Sequence, residues 1–155
     1  MLRDCRERFN SEFSPARADG LRAALEARAG VPVEFPLSET PCFLPASLLT
    51  ELTGAAGTMI DALLGDAAYR TAADAVVPPR FRVVHGETRP TFIQVDFGLI
   101  QTDHGHEGRL VELQAFPSLY GFQTALADAH VETWAADGLT PFLGGLDRDG
   151  YHRAC

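Results

Sequence analysis

Two stretches near the middle of the chain alternate with the period of a β-strand, and their alternation limits the fold more than any other feature of the sequence. In Thr91 to Ile100, period two puts Ile93, Val95, Phe97 and Leu99 on one face and Phe92, Gln94, Asp96, Gly98 and Ile100 on the other. In Arg109 to Phe116 it sends Val111, Leu113 and Ala115 one way and Leu110, Glu112, Gln114 and Phe116 the other. An antiparallel register that sets Gln94 against Gln114 and Asp96 against Glu112 makes one face apolar and gathers two carboxylates and two amides on the other. A slip of one residue would bury acids among aliphatics, so the pattern selects this parity. A slip of two sets Asp96 against Gln114, and the oxygens still converge.

Around this hairpin the chain reads as helical. Residues 2 to 29 form two helical pieces divided at Ser14-Pro15, where Ser14 suits the N-cap and Pro15 the first helical position, and Gly30 closes the second piece. Four prolines in the fifteen residues from Val31 to Pro45 describe an ordered, extended connector. Leu48, Leu49, Leu52, Ala55, Met59, Ile60, Leu63 and Leu64 recur at spacings of three and four, which predicts a helix from about Pro45 to Leu64. A shorter helix over Ala67 to Ala75 must stop before Pro78-Pro79. Arg80 to His85 is rich in β-branched and aromatic residues and is expected to add a third strand, joined through Gly86 to Pro90. Ser118 is a plausible cap for a helix reaching Trp134, and Asp147 to Tyr151 opens another helix near Cys155. The expectation is an α+β fold in which a three-stranded antiparallel sheet (about 80–85, 91–100 and 109–116) packs against helices. Residues 1–155 are read as a single domain, the N-terminal fragment of a longer chain because that last helix has little room to continue.

Composition narrows the function. The 155 residues are 46% hydrophobic and 22% charged, the balance of a globular domain with its own core. Thirteen basic against 21 acidic residues give a net charge of -8, which disfavours a phosphate backbone, so nucleic acid is not expected as a partner. All the basic residues are arginine; without lysine, Schiff-base chemistry and a phosphate-loop lysine are excluded. No signal-like or membrane-length apolar run occurs, and a cytoplasmic, membrane-free location follows as the expectation. Cys5, Cys42 and Cys155 are too scattered for a zinc or redox motif.

Facing carboxylates repel by a few tenths to ~1 kcal/mol unless something neutralises them. A divalent cation that prefers oxygen, most naturally Mg²⁺, would take Asp96 and Glu112, with the Gln114 carbonyl assisting, and keep positions for water or phosphate. The alternative is internal: a third strand could set Arg80 and Arg82 against Asp96 and Gln94, leaving an ion-paired sheet face on a non-catalytic binding or structural module.

The run Val95-Asp96-Phe97-Gly98-Leu99, a turn, and Leu110-Val111-Glu112-Leu113-Gln114-Ala115-Phe116-Pro117-Ser118 resembles the late hairpin of ATP-grasp enzymes, where an acid on one strand and Glu-x-Asn on the next hold magnesium bound to ATP. Asp96 and Glu112 match that pattern, and Gln114 stands where the family usually has Asn. Because no lysine precedes the hairpin, the order is similar to circularly permuted ATP-grasp proteins. The wider run from Ser38 to Tyr120 looks like the N-terminal portion of an uncharacterised bacterial group. The resemblance implies an incomplete ATP-grasp-like domain, Mg²⁺ and ATP as cofactors, and Arg80 and Arg82 as candidates to contact the nucleotide. In the complete protein it implies an ATP-dependent carboxylate-amine ligase that phosphorylates a small-molecule carboxylate and passes the acyl group to a nucleophile. The 155 residues by themselves are not expected to be active.

The remaining candidates have plainer explanations. Asp103, His104, His106 and Glu107 crowd one turn and could bind zinc, but a glycine-flanked loop lacks the fixed ligands that zinc requires. His85, His130 and His152 stand alone, Ser38 and Ser118 lack a nucleophile-elbow frame, and the turn explains Glu39. Tyr120, Phe122 and Trp134 fall at core spacing on their helix.

Overall fold

The computed structural model describes residues 2–83, 89–116, 119–134 and 138–155. The chain divides into two compact units, Met1–Phe43 with Ser118–Cys155 and Leu44–Pro117.

The first unit is helical. Helices α1 (Arg3–Glu12) and α2 (Pro15–Ala29) part at Ser14, whose Oγ accepts from Arg17 N at 3.3 Å while Pro15 opens α2. Gly30 ends α2 at φ 70°, a left-handed position that glycine occupies without a Cβ penalty. The α2 face carrying Leu21 and Leu25 is fully buried against Val33 and against Ala129 of the later helix spanning Tyr120–Trp134. Arg22 Nη1 donates to Val33 O and Glu26 Oε1 accepts from Val33 N, so the two polar groups of that buried residue are satisfied by side chains of α2. A second cluster joins Phe9, Phe43 and Trp134, with the Phe9 and Trp134 rings 4.3 Å apart and the Arg17 guanidinium 4.9 Å from the indole centroid. The C-terminal helix Arg148–Ala154 begins at Asp147, whose Oδ1 accepts from Gly150 N.

The second unit carries α3 (Ala46–Gly65) and α4 (Ala67–Val76), the latter capped by Asp66 through a 2.9 Å bond from Tyr69 N. A two-stranded antiparallel ribbon follows, β1 (Gln94–Thr102) and β2 (Gly105–Gln114). The helices after it, which belong to the first unit, are α5 (Tyr120–Trp134) and α6 (Arg148–Ala154).

The sheet corrects the three-strand expectation. Pro79–Phe81 forms a 3₁₀ turn, Arg82 and Val83 are not in a strand, and His85 lies outside the described residues. The physical cause is at the end of α4. Arg82 turns its guanidinium back onto that helix, Nε donating to Val77 O at 3.0 Å and Nη2 to Ala75 O at 3.4 Å, which satisfies C-terminal carbonyls left over by the helix. Phe81 and Val83 remain exposed, so the described part of this stretch has no buried face to reward a strand. A two-stranded ribbon also does not make the incomplete ATP-grasp-like domain that the hairpin resemblance implies. The proposed cap Ser118 falls outside the described residues, and α5 is seen from Tyr120 onward.

The turn is tighter than the sequence suggests. Thr102 pairs with Gly105, leaving Asp103 and His104 as a two-residue connection. Thr102 Oγ1 accepts from His104 N and donates to Gly105 O, and Gly105 takes φ 116°. Among the described residues no helix is long and apolar enough to cross a membrane.

Candidate functional site

The hairpin brings the sequence-selected acids into register. Gln94 pairs with Gln114, Val95 with Leu113 and Asp96 with Glu112. Residues directly opposite in an antiparallel pair share a face, with Cβ atoms about 4.5–5.5 Å apart. Asp96 is half-buried and Glu112 exposed. Gln94 Nε2 donates to Asp96 Oδ1 at 3.1 Å, which holds that carboxylate over the open face.

Immediately after this pair the register shifts, because Phe97 pairs with Leu110 and Val111 is left as an extra residue on β2. Such a bulge inverts the alternation beyond it. Leu110 joins Phe97 on the apolar face, and Val111, 68% exposed, moves to the acid face, where its Cγ2 would lie 3.5 Å from a Cβ built on Gly98. The sequence assignment of Leu110 and Val111 is therefore reversed. Helix α3 meets the apolar face at Gly108, where a methyl group would overlap Leu52 Cδ2 and press to 3.2 Å from Phe97 Cδ1, while Leu110 stays exposed. At Gly108 the absence of a side chain lets Leu52 of α3 lie directly against the ribbon.

The same bulge brings two charges onto the acid face that sequence reasoning missed. Arg109 pairs with Gly98 and Glu107 with Ile100, one and two register steps beyond Asp96 on its own side of β1. Arg109 Nη2 meets Glu107 Oε2 at 3.0 Å in an exposed ion pair. A signal was present: the polar residues of β2 change parity from 107 and 109 to 112 and 114 across the adjacent apolar pair Leu110-Val111. A regular strand would send these two polar pairs to opposite faces, and one extra residue reunites them.

The arginines expected at this face are elsewhere. Arg80 lies with its Cζ 4.7 Å from the Phe81 ring centroid, and Arg82 is engaged by α4. Among the described residues neither Asp96 nor Glu112 has an ion pair. The internal neutralisation by Arg80 and Arg82 thus loses both its strand and its contacts.

The histidine-rich turn does not assemble. His104 sits at the tip, while His106 pairs with Gln101 and so faces away from Glu107 on the other side of β2. Among the described residues no group of three or more His, Cys, Asp and Glu side chains is arranged to hold a metal. The Asp96–Glu112 pair supplies two such groups, and its further oxygens are the amide carbonyls of Gln94 and Gln114. That donor set is hard and all-oxygen, which fits Mg²⁺ and does not fit a thiolate- or imidazole-seeking metal.

Other candidates are absorbed by the helical unit. Ser38 Oγ donates to Thr40 O within its turn. Thr124 Oγ1 donates to Gly121 O and lies 3.3 Å from His152 Nε2, an arrangement in which the hydroxyl proton is already spent. Burial lowers the pKa of His130 below its ordinary value, and its Nδ1 has no hydrogen-bond partner among the described residues. Trp134 and Phe122 are packing residues. Cys5, Cys42 and Cys155 are free thiols.

No protein-family model, curated protein or solved structure matches this chain.

Proposed function

We propose that the hairpin holds a divalent cation, Mg²⁺, through Asp96 and Glu112, and presents it to a phosphate-bearing ligand. The observation that supports this reading is the direct register pairing of the two carboxylates on one face, where neither has a cationic partner among the described residues. Paired like charges are costly, and a cation bridging them turns the cost into a binding site. Bound there, Mg²⁺ would neutralise phosphate charge and leave positions open to phosphate oxygens. Gln114 would contribute its amide oxygen, and Gln94 fixes the Asp96 carboxylate by its hydrogen bond. Arg109 on the same face is the side chain suited to a phosphate, since its planar fork matches two phosphate oxygens and its exposed bond to Glu107 costs little to exchange. In this role it replaces Arg80 and Arg82. ATP is the nucleotide implied by the motif, and carboxylate activation is the reaction such a site would serve.

The test is calorimetric titration of the wild type with ATP in Mg²⁺ and in chelator, repeated with Asp96→Asn/Glu112→Gln. The expected result is binding that depends on Mg²⁺ in the wild type and loses that dependence in the double variant. Equal ATP binding in chelator and in Mg²⁺ would refute the cation-bridged reading. Heat from Mg²⁺ alone with none from ATP would leave a cation site and refute the nucleotide.

A further inference from the structure

We draw no further inference here: the strongest candidate, the outer edge of the hairpin strand Gln94–Thr102 together with the exposed Val111 on its open face, carries nothing because nothing among the described residues shows what covers it.

Discussion

Removing one charge from the Asp96–Glu112 pair should stabilise the metal-free hairpin, and the size follows from its geometry. Opposite Cβ atoms about 5 Å apart, with one side chain half-buried and the other exposed, place the charges close to water, where Coulomb's law gives about 0.8 kcal/mol of repulsion. Glu112→Gln relieves this and touches no hydrogen bond of Asp96. Asp96→Asn relieves it as well but weakens the charge assistance of the Gln94 bond; at 3.1 Å that bond is long for a charged acceptor, so the net gain falls to about 0.5 kcal/mol. The double variant should add little beyond either single change, because the first substitution already removes the repulsion. The single tryptophan, Trp134, lies in α5 and does not report directly on the ribbon strands. Amide hydrogen exchange across Val95–Leu99 in chelator does, and 0.8 kcal/mol corresponds to roughly fourfold slower exchange in Glu112→Gln. In millimolar Mg²⁺ the order should reverse, since only the wild type gains stability by binding a cation in the folded state. Faster exchange in both single variants in chelator would refute the reasoning, because it would mean that the carboxylates are already compensated.

Two other positions give independent checks. Gly108→Ala should push Leu52 off its rotamer and crowd Phe97, costing about 0.5–1.5 kcal/mol, read as faster exchange in β1 and β2, and slower exchange there would contradict the packing of Leu52 on this glycine. His130 has its folded pKa lowered by burial, so the unfolded chain binds its proton first: the stability it contributes is present above about 6.5 and is lost as pH falls through the lowered value. Unfolding followed by Trp134 fluorescence from pH 7 to 5 should accordingly show a weaker pH dependence in His130→Gln than in wild type, and identical slopes would contradict the burial of this imidazole.

Much of the local structure was legible because single residues dictate it. Ser14, Pro15 and Gly30 mark the limits of α2 by chemistry that acts within one turn, and the apolar spacing from Leu48 to Leu64 marks α3. That Asp96 and Glu112 share a face was legible because only one parity separates acids from aliphatics, whereas their direct pairing over the register two residues away is decided by the structure. The bulge was harder, since two adjacent apolar residues are read by strict alternation as one inside and one outside. At Leu110-Val111 the assignment came out inverted, and Arg109 was lost from the site with it. The third strand failed for a different reason. Its β-branched composition is real, but the contest was decided by the unsatisfied carbonyls at the end of α4, which capture Arg82, and by the proline pair that begins a 3₁₀ turn. Such a choice depends on groups several residues upstream and leaves no periodic trace.

Mn²⁺ is the most direct probe of the central claim, because it can substitute for Mg²⁺ at oxygen ligands and broadens the NMR signals of nearby nuclei. Added in substoichiometric amounts to the wild type, it should selectively broaden the amide signals around Asp96 and Glu112, be displaced by excess Mg²⁺, and lose this pattern in Asp96→Asn/Glu112→Gln. Broadening spread over acidic residues throughout the chain, or centred on His104 and Glu107 and unaffected by the double substitution, would contradict the assignment of the cation to the hairpin face.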